Sequence, residues 1–80
     1  MKVPVIKRLV EQFSLEDLKA AEDALLNEQT PAVSIEGEDE GEQLTHAIAA
    51  ISILTEMKEK GIDSRTAMKS YFERVRKSIS

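Results

Sequence analysis

Between Asp39 and Lys60 no proline interrupts the chain, and Gly61 stands directly after the run. Apolar residues recur through it at helical spacing, so it predicts one long helix closed by Gly61 in the left-handed conformation. On a helical wheel, Ile53, Met57, Ala50, Leu54, Ala47, Ile51, Leu44 and Ile48 fill an arc of about 220°. A helix packed on one side needs about half that width. This helix is therefore expected at the centre of the fold, with several neighbours or with one neighbour and a partner chain. Little sequence remains to cover it. The chain has 80 residues, and dividing them would leave neither part a core, so residues 1–80 are read as one helical domain.

The flanking segments repeat the helical pattern. Pro4 suits a first turn, where its missing N–H costs nothing, and Val5, Ile6, Leu9, Val10 and Phe13 follow at helical spacing. "SLED" reads as a capping box, with Ser14 as N-cap and Asp17 three residues on. Leu15, Leu18, Ala21, Leu25 and Leu26 make the next apolar stripe. "NEQTPAVS", residues 27–34, reads as a loop because Pro31 disfavours helical geometry at Thr30. After Gly61, Asp63 or Ser64 can cap a last helix, whose stripe is Ala67, Met68, Tyr71, Phe72, Val75 and Ile79. No segment alternates as a strand does. The expected fold class is all-α: a small bundle of three to four helices with a long central third helix.

Composition narrows the function classes. The chain is 41% hydrophobic and 32% charged, too apolar for intrinsic disorder. It has no cysteine, which removes disulfides, thiol catalysis and thiolate zinc sites. Lys7 and Arg8 break the apolar start, so no signal peptide is expected there, and no run approaches the roughly 20 apolar residues of a membrane span. A cytoplasmic setting without membrane contact is expected. Net charge is −4 but unevenly spread. Residues 14–43 hold ten acids against Lys19, a balance of −9, and residues 64–80 hold five bases against Glu73, a balance of +4.

Two charged stretches compete as sites. In "IEGEDEGEQLTH", Glu42 and His46 stand four apart, a spacing that lets a carboxylate and an imidazole meet one ion. Di-metal bundles instead use Glu-x-x-His with further glutamates, and this chain has one histidine. The alternating ligands of a calcium loop are absent as well. The acids make better sense in the first turn of the third helix, where the dipole favours them. Gly41 is read as admitting a close neighbour there, and His46 as a residue at the boundary of the apolar arc. No metal or cofactor is expected. The second stretch is a basic face of Arg65, Lys69, Arg74, Arg76 and Lys77. It could meet phosphates, but Tyr71 and Phe72 fall on the apolar stripe and the acidic middle repels a polyanion. Hydroxyls and glycines match no nucleophile, P-loop or dinucleotide pattern, so an enzyme is not expected.

Three stretches, "MKVPVIKRLVE", "GEQLTHAIAAISILTEMKEKGID" and "AMKSYFERVRKSI", together resemble a family of short bacterial proteins of unknown function that begin Met-Lys-x-Pro-Val-Ile. The likeness spans nearly the whole chain, departing in the loop between Asn27 and Gly41. It implies a bacterial cytoplasmic setting and an all-helical fold, and brings no mechanism.

The function expected is a protein–protein interaction module that self-associates, as a homodimer, or docks on a larger protein. Its surface is expected on Ala50, Ile53 and Met57 at the outer edge of the arc, with Val5 and Ile6 contributing. The alternative is a nucleic-acid-binding or regulatory protein using the basic C-terminal helix. A monomer whose other helices cover the arc completely also stays open.

Overall fold

Each helix end is set by local chemistry. The computed structural model describes residues 2–79, with side chains described through residue 78. Four helices follow in order: α1 (Val3–Gln12), α2 (Leu15–Leu26), α3 (Glu40–Lys60) and α4 (Ser64–Ile79). Pro4 occupies the first turn of α1. Ser14 and Asp17 form the capping box before α2: the Asp17 N–H donates to Ser14 Oγ at 3.1 Å, and the Ser14 N–H donates to Asp17 Oδ2 at 3.4 Å. At the other end of α2 the Gln29 N–H reaches back to the Ala24 carbonyl at 2.8 Å, with Glu28 N–H on Leu25 at 3.2 Å. This is a Schellman ending, and it holds Glu28 at φ 56°. Asp39 caps α3 by accepting from the Glu42 N–H at 2.8 Å, and Gly61 ends it at φ 63°. Asp63 caps α4 through the Thr66 N–H at 2.8 Å.

The result is the expected small all-α bundle, with α3 at its centre. Its 21 residues run about 31 Å at the standard helical rise, which is the longest dimension of the molecule, 31 Å. α1, α2 and α4 all pack on α3, while α1 and α4 barely touch. Ile6, Leu9, Leu18 and Ile53 are the large apolar side chains fully removed from solvent. Ala47, Ala49 and Ala50 are also fully buried, and their small size lets the neighbouring helices approach α3 closely.

The buried stripe of α3 is rotated from the apolar arc read in the sequence. It runs through His46, Ala47, Ala49, Ala50, Ile53 and Glu56. Ala50 and Ile53, expected at an outer edge, therefore lie at its middle. Val5, Ile6, Ala50 and Ile53 are core residues, and Met57 is half-buried against that core. The expected interaction surface is thus consumed by packing within the chain. The uncovered edge is the opposite one, where Ile48 is 45% exposed. The rotation has a physical cause: Glu56 turns inward because partners on α3 and α4 satisfy its carboxylate.

α4 is the least covered helix. Ala67 is fully buried, but Met68, Tyr71, Phe72 and Val75 keep part of their surface in solvent. The Tyr71 and Phe72 rings meet edge to face at 5.5 Å. The side chain of Ile79, the last residue of the expected stripe, lies outside the described residues. Among the described residues no helix is long and apolar enough to cross a membrane.

Candidate functional site

Three polar or mixed features stand out from this scaffold, and they differ in what they can do. The first surrounds His46. After the loop, residues 34–38 lie as a strap across the N-terminal ends of α1 and α3. Ile35 is buried, the Gln43 amide donates to its carbonyl at 3.0 Å, and Arg8 pairs with Glu36 at 2.9 Å. Gly37 is necessary here, since a Cβ would stand 2.7 Å from Gln43. A Cβ at Gly41 would come no closer than 3.3 Å, to the Asp39 carboxylate. Gly41 thus has the close neighbour expected in the first turn of α3, and the tighter approach is at Gly37.

Beneath the strap His46 is fully buried, not a boundary residue. Its Nε2 accepts from the Lys2 backbone N–H at 2.9 Å, and its Nδ1 lies 2.7 Å from the Glu36 carbonyl. A carbonyl can only accept, so Nδ1 carries the proton and the ring is the neutral Nδ1–H tautomer. Both nitrogens are thereby occupied. Glu42, its expected co-ligand, instead accepts from the Glu38 N–H at 3.0 Å. The pair is a fastener joining α1, the strap and α3. Among the described residues no group of three or more His, Cys, Asp or Glu could hold a metal ion.

The second feature is the carboxylate of Glu56, only 7% exposed. Lys60 Nζ donates to Oε1 at 3.0 Å, Ser70 Oγ donates to the same oxygen at 3.2 Å, and Arg74 Nη2 donates to Oε2 at 2.8 Å. The Lys60 hydrogen bond, with Arg74 and Ser70 behind it, holds this carboxyl below its ordinary value against the opposing effect of desolvation. The arrangement ties α4 to α3. It is a paired ion with no free oxygen aimed at a substrate. Sequence reading passed over Glu56; the available signal was its place on the 46–49–53–56 helical stripe, with Lys60 one turn on.

Glu56 also forms part of the third feature, a groove of about 390 Å³ between α2 and α4. The uncovered edge of α3 lines it through Ile48, Ile51 and Thr55. Glu22 and Glu59 bring negative charge to the rim, and Lys60 and Arg74 bring positive charge. Apolar surface and both signs of charge thus share one concave face.

The expected basic face does not form one surface. Arg74 turns to Glu56, while Arg65 and Lys69 line a different groove between α4 and α1. By helical period Arg76 shares the side of Arg65 and Lys69, opposite Arg74. Arg76 and Lys77 are both exposed in the last turns of α4.

Fold and surface together define a small four-helix bundle protein with grooves on both flanks of its last helix. The chain belongs to a family of unknown function, DUF6952, whose model matches residues 1–80. A comparison with curated proteins finds no match, and a comparison with solved structures finds none either.

Proposed function

We propose that the protein is a helical interaction module that pairs with a second copy of itself through the uncovered edge of α3. The observation that carries this reading is Ile48, 45% exposed at the end of an apolar arc whose other members are buried or half-buried. Ile51 lies beside it, half-buried, in the same groove. A two-fold contact requires a patch complementary to itself, and a rim holding both acids and bases meets that condition. Glu22 and Glu59 of one copy can then oppose Lys60 and Arg74 of the other. The chain is also small enough that its own core gives limited stability, so added burial has a clear benefit. No catalytic step is part of this reading.

Light scattering coupled to size exclusion, across micromolar to millimolar concentrations, tests it. A mass rising toward twice 8.9 kDa is the expected result. Ile48→Glu should return the protein to a monomer that stays folded, because the residue it replaces is exposed in a single copy, and its thermal midpoint should no longer rise with protein concentration. A mass of 8.9 kDa at every concentration overturns the proposal.

A further inference from the structure

A second face of the molecule has a different chemistry, and it is independent of pairing through α3. α1 and α4 both pack on α3 but barely meet, which leaves a groove of about 500 Å³ between them. Val3, Met68 and Phe72 give its apolar lining, and Lys7, Arg65 and Lys69 give its cations. Val3 is 49% exposed, and Met68 and Phe72 are half-buried. Some cations outside the groove are engaged, Arg8 with Glu36, and Lys60 and Arg74 with Glu56. No hydrogen bond or ion pair within the described residues engages Lys7, Arg65 or Lys69, whose charge faces solvent beside apolar surface. Glu11 is the acid among its lining residues, and Asp63, beside Ser64, also acts electrostatically on Arg65.

From this juxtaposition we infer that the α1/α4 groove is a docking site for an acidic amphipathic helix of a partner protein. The spans Val3–Glu11 and Ser64–Phe72 each cover about 12 Å along their helices, enough to cradle two to three turns of an occupant. An apolar stripe on the occupant covers Val3, Met68 and Phe72. Its flanking carboxylates pair with Lys7 on one wall and with Arg65 and Lys69, one turn apart, on the other. The apolar lining favours a helix with its own apolar face over a nucleic-acid backbone, and Glu11 opposes a continuous polyanion. Complementary charge should appear chiefly in the association rate and its salt dependence.

The test uses the full chain labelled with nitrogen-15 and a helix-forming peptide of about 15 residues. The peptide carries Leu at i, i+3, i+4 and i+7 with Glu on both flanks. A scrambled peptide of identical composition and a single-stranded oligonucleotide of equal charge serve as comparisons. Amide shifts at Val3, Lys7, Met68 and Phe72 on adding the patterned peptide are the expected result. Lys7→Glu and Lys69→Glu, both at exposed positions, should each weaken binding by roughly tenfold without changing the thermal midpoint. Equal binding of the scrambled peptide or the oligonucleotide overturns the inference, as does a shift pattern centred elsewhere. Absence of binding at millimolar peptide overturns it too. Neither result bears on the mass measurement, so failure here and failure of pairing through α3 are separable.

Discussion

α1 and α4 contain similar apolar stripes, yet the fold uses them in opposite ways. α1 has ten residues and buries Val5, Ile6, Leu9 and Val10. α4 has sixteen, and among its described side chains Ala67 alone is fully buried. The buried residues of α1 join one core cluster with Ala49, Ala50 and Ile53 of α3. α4 is tied to α3 by the hydrogen bonds of Ser70 and Arg74 to Glu56. One helix is held by apolar burial and the other by charge and half-buried rings. The grooves on both sides of α4 follow from that difference, because a helix incompletely packed by its own chain keeps surface for another.

Core truncation should expose the contrast most strongly. Leu9→Ala removes a fully buried side chain and should lower stability by about 2–5 kcal/mol, measured by urea unfolding. Met68→Ala, half-buried at the outset, should lower it by less than half as much. Equal losses at the two positions would break the comparison. His46→Ala comes next. It strands the Lys2 N–H and the Glu36 carbonyl, and about 2 kcal/mol is expected for losing such partners in a part-buried site. Hydrogen exchange should quicken first in α1 and the strap, with α4 little affected.

Acid should act on the other helix. The carboxyls of Glu56 and Asp63 both lie below their ordinary values, Glu56 chiefly through Lys60 and Asp63 chiefly through its hydrogen bonds with Thr66. A carboxyl depressed in the folded state binds fewer protons there than in the unfolded chain. Its contribution is therefore complete above the ordinary carboxylate range, about pH 4, and is lost as pH falls through the depressed folded value. One group anchors α4 and the other caps it. Exchange measured at successively lower pH should show α4 amides losing protection before those of α1. Arg74→Ala should bring that loosening to higher pH.

These differences trace which parts of the molecule could be read in advance. Helix periods, the Ser14–Asp17 box and the Gly61 ending are set within a turn or two of chain, and each lies where the residues indicate. The rotation of α3 does not have that local origin. It depends on Arg74, eighteen residues beyond Glu56, and on Lys2, forty-four residues before His46. A polar residue on a helix is counted as exposed until its partners are known, so the sequence puts His46 at the boundary of the arc and gives no sign of the buried Glu56. The proposed pairing surface moves accordingly, from the buried Ala50 and Ile53 to the exposed Ile48.

The smallest effect expected is a gain. Glu28 is the one non-glycine residue at positive φ among the described residues, at 56°, and it holds the left-handed place of the Schellman ending of α2. Its side chain is exposed, and none of the hydrogen bonds or ion pairs described for the molecule uses it, so the backbone alone determines the cost. An L-residue with a Cβ in that conformation costs about 1 kcal/mol relative to glycine. Glu28→Gly should therefore raise stability by up to that amount, reduced by the greater freedom of glycine in the unfolded chain. Gly61→Ala, at φ 63° with open space around the new methyl, should lower it by a similar amount for the same reason. Thermal unfolding of the two variants in parallel checks both signs. Because one site ends α2 and the other ends α3 ahead of α4, matched and opposite shifts would show that the contrast between α1 and α4 arises from packing, with the turns contributing equally.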